Sequence, residues 1–142
     1  MLILLVEDNP VDVRLTQEAL LEGGFQHKLS VVKDGEEALD YLFQRPPFEE
    51  APVPDLIFLD LNLPKKDGHE VLKEINRASS TRSIPVVILT TSESEQDIQV
   101  SYELHANCYI TKPSDISNFV EVIKSIESFW SHTVHPPTIS RS

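Results

Sequence analysis

Five short apolar runs alternate with amphipathic stretches along the chain, and this alternation constrains the fold more than any other feature of the sequence. Apart from Ser30 in the second run, these runs are hydrophobic throughout, as expected for strands that are buried on both faces of a sheet. The runs are Leu2–Val6, Leu29–Val32, Leu56–Leu59, Val86–Leu89 and Tyr109–Ile110. The pattern predicts five βα units in succession, and therefore an α/β fold whose parallel sheet is covered by helices on both faces.

Capping and turn residues place a helix after each run. Asn9 can cap the first helix, Pro10 suits its first position, and Gly23-Gly24 ends it. Apolar residues at helical spacing predict three further helices, over Glu36–Phe43, around Val71–Ile75 and over Ile116–Trp130, and a polar helix is predicted from about Glu93 to Leu104.

Length and composition indicate one domain. The chain has 142 residues, of which 40% are hydrophobic, enough for a sizeable core. We predict a domain over residues 1–130 and a mobile tail over 131–142, which has little apolar content. The proline-rich segment Gln44–Asp55 is long for a connection between a helix and a strand. It is either a contact surface or a tolerated surface insertion.

Charge and cysteine usage exclude several classes of protein. The net charge of −11 repels phosphate backbones, so we expect no binding to nucleic acid, whereas cations or basic partner surfaces would be attracted. Leu2–Val6 is too short to span a membrane, and no basic region precedes it. Cys108 is the only cysteine, so an internal disulfide is impossible and a reducing cytoplasm is the expected location.

Polar side chains follow four of the five predicted strands. They are Glu7-Asp8 after the first strand, Asp60 after the third, Thr90-Thr91 after the fourth and Lys112-Pro113 after the fifth. Ligands of open α/β sheets bind beyond the carboxyl ends of the strands. If these four strands are neighbours, the polar side chains converge there.

Three carboxylates in one small pocket require compensation. Two unit charges about 4 Å apart cost about 4 kcal/mol at an effective dielectric constant near 20. A cation, or protonation of at least one acid, relieves this repulsion. The candidate ligands Glu7, Asp8 and Asp60 offer hard oxygen atoms alone, which favours Mg²⁺ or a similar ion over zinc or copper.

The same residues suggest phosphoryl chemistry. One carboxylate of a metal-bound cluster can attack phosphorus, while the metal and the Lys112 ammonium offset charge on the phosphoryl oxygens. Thr90 can donate a hydrogen bond to those oxygens. Each residue also has a structural interpretation, because an acid after a strand often caps a helix and a lysine before proline is usually solvated. Their joint occurrence at four strand ends favours the functional interpretation.

Several segments resemble the receiver domain of bacterial response regulators over about residues 2 to 130. The matching motifs are Leu4-Leu5-Val6-Glu7-Asp8-Asn9, Asp55-Leu56-Ile57-Phe58-Leu59-Asp60-Leu61-Asn62-Leu63-Pro64, Asp67-Gly68, Leu89-Thr90-Thr91-Ser92 and Tyr109-Ile110-Thr111-Lys112-Pro113. The resemblance implies a doubly wound, flavodoxin-like sheet of five parallel strands in the order 2-1-3-4-5, with five helices.

The resemblance also implies a role for each matching residue. Asp60 would accept the phosphoryl group, Thr90 and Lys112 would hold its oxygens, and Tyr109 would change position together with Thr90. The Mg²⁺ ion would be bound by Asp8 and Asp60, by Glu7 through a metal-bound water, and by the backbone carbonyl of Asn62. The Lys112-Pro113 bond would be cis.

Two positions depart from the family pattern. His105 and Cys108 stand where the family often has glycine, which puts the usual backbone conformation before the fifth strand in doubt. We interpret His105 as a surface residue and Cys108 as a small buried residue without a redox role.

A narrower resemblance concerns the expected partners. The chain is similar to the small response regulators paired with cyanobacterial phytochrome histidine kinases. The segments that carry this likeness are the proline-rich segment, Leu63–His69, Asn107-Cys108-Tyr109 and Phe129-Trp130. A sensor histidine kinase is therefore the expected phosphoryl donor, and a phytochrome is the candidate kinase. The output would be a contact with another protein on the face formed by helix 4, strand 5 and helix 5. Phe129 and Trp130 suggest a homodimer on the same face. The alternative is that both side chains pack on their own domain.

Two other functions fit parts of the pattern. A metal-dependent phosphoester hydrolase commonly needs a second aspartate two residues after the nucleophile, and Asn62 stands there instead. A pseudo-receiver would keep the fold without phosphorylation, but the intact set of Glu7, Asp8, Asp60, Thr90 and Lys112 argues against it. The favoured prediction is a switch that promotes only its own phosphorylation and dephosphorylation.

Overall fold

A computed structural model describes residues 2–22, 28–63, 65–90, 94–111 and 124. The strands are β1 (Leu2–Val6), β2 (Lys28–Val32), β3 (Leu56–Leu59), β4 (Val86–Thr90) and β5 (Cys108–Thr111). The helices within these ranges are α1 (Pro10–Glu22), α2 (Gly35–Leu42), α3 (Gly68–Arg77) and α4 (Glu95–Glu103). The predicted helix over Ile116–Trp130, the tail over 131–142 and the Lys112-Pro113 bond lie outside the described residues, apart from residue 124.

The five strands form one parallel sheet in the order β2-β1-β3-β4-β5. The predicted doubly wound α/β class and strand order are therefore confirmed. In the central register Val6 is paired with Leu59 and Leu59 with Ile88, so these three strands end at nearly the same level. The residues that follow β1 and β3 consequently emerge side by side at the carboxyl edge.

Alternate residues of β1 enter two cores on opposite faces of the sheet. Leu4 and Val6 join the cluster that contains α2 and α3 residues, whereas Ile3 and Leu5 join the cluster under α1. All four side chains are at most 2% exposed. Burial of a large aliphatic side chain contributes about 1.5–3 kcal/mol, so the central strands form a rigid base for the residues at their ends.

Local capping explains where the helices begin. Asn9 Oδ1 accepts hydrogen bonds from the N–H groups of Val11 and Asp12 at 2.9 and 3.4 Å, as predicted for the cap of α1. Asp34 Oδ1 accepts from Glu37 N–H at 2.8 Å, so α2 begins at Gly35, one residue before the predicted start. Asp67 and Glu70 form a reciprocal capping box at the start of α3.

The proline-rich segment packs against the amino edge of the sheet. The Phe48 ring lies 5.5 Å from the Tyr41 ring, and Gln44 Nε2 donates to the Ala51 carbonyl at 2.8 Å. At its end, Asp55 Oδ2 accepts from Leu2 N–H at 2.8 Å. The segment is thus part of the packed domain on the side away from the carboxyl edge, and its role as a contact surface stays a prediction.

Within the described ranges, no helix has the length and apolar character needed to cross a bilayer.

Candidate functional site

The carboxyl edge of the sheet brings three acidic side chains together. Glu7, Asp8 and Asp60 each offer a carboxylate oxygen within 4.8 Å of the other two. Glu7 and Asp60 are only 2% and 6% exposed, whereas Asp8 is exposed to solvent. Two nearly buried carboxylates and one exposed carboxylate therefore form a half-open cluster that a solvated cation can enter.

Backbone hydrogen bonds of the sheet hold the cluster in place. Glu7 N–H donates to the Val32 carbonyl at 3.0 Å, and Asp60 N–H donates to the Val6 carbonyl at 3.1 Å. Each acidic residue thus continues the ladder by one step beyond its strand. Because the sheet fixes both backbones, only side-chain rotation can increase the distance between the two buried carboxylates.

The start of α1 adds a favourable electrostatic contribution. Glu7 Oε2 accepts a hydrogen bond from Asn9 N–H at 3.2 Å, directly before Pro10 opens the helix. The amino end of a helix carries about half a positive elementary charge. This partial charge stabilises anionic groups at the cluster and does not replace a cation.

The segment after β3 orients the Asp60 carboxylate through a hydrogen bond. Asn62 N–H donates to Asp60 Oδ1 at 3.1 Å, and Asn62 Nδ2 lies 3.5 Å from Thr90 Oγ1. Thr90 ends β4 and is fully buried. The structure therefore places the predicted nucleophile, the predicted backbone ligand and the predicted phosphoryl contact on neighbouring strand ends.

Gly68, at the end of the same segment, packs closely against the backbone of Asp60 and Leu61. Its N–H donates to the Leu61 carbonyl at 3.0 Å. A Cβ atom built on Gly68 would lie 2.5 Å from the Asp60 carbonyl oxygen and 2.6 Å from Leu61 Cα. The start of α3 approaches the Asp60-Leu61 backbone so closely that no larger residue fits at position 68 without a backbone shift.

Of the remaining predicted site residues, Tyr109 lies within the described part of β5 and Lys112 does not. Thr90 is paired with Thr111, so residue 112 follows the strand that adjoins Thr90. Lys112, Thr91, Phe129 and Trp130 lie outside the described residues. Tyr109 is half-buried, and its N–H donates to the Tyr102 hydroxyl of α4 at 3.2 Å.

His105 adopts the conformation that glycine favours. Its φ angle is 67°, in the left-handed region, and its side chain is exposed. The backbone before β5 thus keeps a left-handed residue at this position although glycine is absent, and the surface interpretation of His105 is confirmed. The side chain of Cys108 lies outside the described part of the chain.

A groove beside the cluster involves residues that the sequence patterns did not single out. Its volume is about 330 Å³, and it is lined by Glu7, Asp8, Pro10, Val13, Val31 and Lys33. Lys33 follows β2, the one strand whose end supplied no predicted site residue. A search of all five strand ends for charged residues would have included it.

Comparisons with known proteins agree with this geometry. The family model described as response regulator receiver domain matches residues 3–124. Response regulator Rcp1 of Synechocystis sp. is 50% identical over 135 residues, which cover 95% of this chain and 92% of Rcp1.

Two crystal structures of such relatives are closely similar to the fold. The phosphorylated cyanobacterial phytochrome response regulator RcpA matches with a TM-score of 0.88 and 51% identity, over 96% of this chain and 97% of RcpA. The Mn²⁺-bound form of Rcp1 matches with a TM-score of 0.87 and 49% identity, over 96% of this chain and 98% of Rcp1.

Proposed function

This chain belongs to the response regulator receiver domain family, and from that premise we propose that it is a phosphorylation switch in which Asp60 accepts the phosphoryl group. The residues that would hold the proposed Mg²⁺ directly are Asp8, Asp60 and, through its backbone carbonyl, Asn62, and Glu7 would contact the ion through a water molecule. The observation that carries the proposal is the acidic cluster, in which three carboxylate oxygens lie within 4.8 Å of one another.

The residues present fit a hard divalent cation. All three side-chain donors are carboxylate oxygens, which favour Mg²⁺, Ca²⁺ or Mn²⁺ over softer metals. The relative Rcp1 has a crystal structure in a Mn²⁺-bound form, which supports binding of a divalent ion by this chain. Mg²⁺ usually takes one or two carboxylates and keeps several waters, so an exposed Asp8 beside a buried Asp60 suits it.

The proposed transfer involves one bond formed and one broken. An Asp60 carboxylate oxygen forms a bond to phosphorus while the bond between phosphorus and a kinase histidine nitrogen breaks. The electron pair of that bond stays on the imidazole, which leaves neutral when its other nitrogen carries a proton. Bound Mg²⁺ supplies charge stabilisation for the phosphoryl oxygens.

Two further side chains complete the proposed site. Thr90 lies at the end of β4 beside Asn62, within reach of an added group on Asp60, and Lys112 follows the strand that pairs with β4. We assign to both the binding of phosphoryl oxygens. Rearrangement of Thr90 towards the phosphoryl group, with Tyr109 following it, is the proposed change at the α4–β5 surface.

The proposed donor is a sensor histidine kinase of the phytochrome type. The support is the likeness to Rcp1 and to RcpA, the latter described as a phytochrome response regulator. The proposed output is a contact with a downstream protein or a second copy, through α4, β5, the predicted fifth helix and Phe129-Trp130. The proposed location is the cytoplasm. The proposed functional domain is residues 1–130, and we propose that it does not turn over an external substrate.

Phosphotransfer from defined kinases tests this function. The chain is offered to a panel of phosphorylated histidine kinases that includes a cyanobacterial phytochrome, with Mg²⁺ or with EDTA. We expect the fastest transfer from the phytochrome, only with Mg²⁺, and none to Asp60→Asn. Failure of every donor, together with no response to acetyl phosphate and Mg²⁺, would instead indicate an interaction module that works without phosphorylation.

A further inference from the structure

The segment between β3 and α3 is in close contact with the first turn of α2. A Cβ atom built on Gly35 would lie 2.0 Å from the Lys66 carbonyl oxygen and 2.8 Å from its carbonyl carbon. Both atoms belong to the backbone, so a rotamer change cannot relieve the overlap. Glycine is therefore required at the first position of α2 for this segment to keep its path.

A charged pair beside Gly35 holds the same segment. Lys65 Nζ lies 3.7 Å from Asp34 Oδ2, while Asp34 Oδ1 caps α2 through Glu37 N–H. Lys65 has a φ of 67°, in the left-handed region that is unfavourable for a residue with a Cβ atom. The contacts of Asp34 and Gly35 stabilise a backbone path that the local sequence alone does not favour.

This path leads directly to the acidic cluster. The segment begins at Asp60, whose Oδ1 is held by Asn62 N–H, and it ends at Gly68, which packs on the Asp60 and Leu61 backbone. Asn62 and Gly68 are therefore held close to Asp60, while Lys65 and Lys66 contact the start of α2. We therefore expect a displacement of the Lys66 backbone to change the position of Asn62 as well.

We infer that Asp34 and Gly35 are positioning residues for the metal site, because they hold the Lys65-Lys66 backbone and thereby orient Asn62 and the Asp60 carboxylate. This inference rests on the proposed function. Neither residue is among the three carboxylates of the cluster. Their influence is indirect, in the manner of outer residues that orient metal ligands in other proteins.

Gly35→Ala tests the inference through metal affinity. Alanine normally stabilises a helix relative to glycine, so the substitution harms the site only through its contact with Lys66. We expect binding of Mn²⁺ alone, measured by calorimetry on the full chain, to weaken about tenfold. The matched control is Ile75→Val, which removes a methylene from the buried face of α3 and should leave Mn²⁺ affinity within about twofold.

A second variant keeps the test decisive if Gly35→Ala does not fold. The double variant Asp34→Asn/Lys65→Met removes the charged pair and keeps a good helix cap, with Lys73→Met as the control for loss of one exposed lysine. We expect about twofold to fivefold weaker Mn²⁺ binding. The effect is small because the Lys65 side chain is 61% exposed, and exposed ion pairs contribute little to stability.

The outcomes separate the inference from the function on which it rests. If the wild-type chain binds no Mn²⁺, the proposed metal site fails and the inference fails with it. If the wild-type chain binds Mn²⁺ and the folded Gly35→Ala chain binds it equally well, the inference alone is overturned. Where Gly35→Ala is unfolded, unchanged affinity in the double variant overturns it.

Discussion

Asn62 donates its main-chain N–H to Asp60 Oδ1 at 3.1 Å, so the backbone two residues beyond Asp60 orients one oxygen of its buried carboxylate. The Asn62 side chain points to a different partner, with its amide nitrogen 3.5 Å from Thr90 Oγ1. Backbone and side chain of one residue therefore face two different parts of the proposed site, and substitution can separate them.

Asn62→Ala should leave divalent metal binding nearly unchanged. The backbone N–H and carbonyl are retained, so we expect a Mn²⁺ affinity within about twofold of the wild type, since backbone ligands survive side-chain truncation. Calorimetry on the purified chain measures this. A loss of about tenfold or more would show that the side chain, and not the carbonyl, supports the ion.

Asp8→Asn should have opposite effects on stability with and without metal. In EDTA, loss of one of three clustered negative charges should raise the thermal midpoint by about 1–3 °C. With saturating Mg²⁺, the wild type should gain about 2.7 kcal/mol at one hundred times its dissociation constant, whereas the variant should gain little. Differential scanning calorimetry in both buffers gives the comparison.

Asp12→Asn is the matched control for the Asp8 experiment. Asp12 lies in the first turn of α1 and outside the acidic cluster, and the substitution also removes one negative charge. It should retain the full rise in midpoint with Mg²⁺. An equal Mg²⁺ response in Asp8→Asn and wild type would contradict the assignment of Asp8 as a ligand.

Gly68→Ala should destabilise the domain although it introduces a better helix former. The added Cβ would lie 2.5 Å from the Asp60 carbonyl oxygen, so the start of α3 must move. We expect a loss of about 1–3 kcal/mol in the free energy of unfolding, measured with urea, together with slower phosphorylation by acetyl phosphate.

Lys73→Ala provides the comparison for Gly68→Ala, because it places alanine at an exposed position of the same helix. Its effect should be within about 0.5 kcal/mol. If Gly68→Ala proved as stable as the wild type, the close approach of α3 to the Asp60-Leu61 backbone would be contradicted.

The sequence predicted the elements whose signals are local. The bounds of β1 and β3 match the predicted runs Leu2–Val6 and Leu56–Leu59, because both strands are buried on two faces and therefore hydrophobic throughout. The start of α1 was equally clear from Asn9 and Pro10. The register of the parallel sheet then places Glu7 beside Asp60 without further information from the chain.

The contacts that position the segment after β3 were not predictable in the same way. The approach of Gly35 to the Lys66 carbonyl joins residues 31 positions apart, and nothing in the local sequence at either site signals it. The left-handed conformations of Lys65 and His105 likewise oppose the local preference of a residue with a Cβ atom. Lys65 contacts Asp34 of a distant segment, whereas His105 belongs to a local cap of α4, in which its N–H donates to the Tyr102 carbonyl and Ala106 N–H donates to the Ser101 carbonyl.

Locating the phosphoryl group tests the central claim most directly. The chain is incubated with acetyl phosphate and Mg²⁺, and the labelled residue is identified by mass spectrometry after reduction of the acyl phosphate. Asp55→Asn, which changes the aspartate at the opposite end of β3, serves as the control for Asp60→Asn. We predict label on Asp60 in the wild type and in Asp55→Asn, and none in Asp60→Asn or in EDTA. Equal label in Asp60→Asn, carried by another residue, would contradict the account.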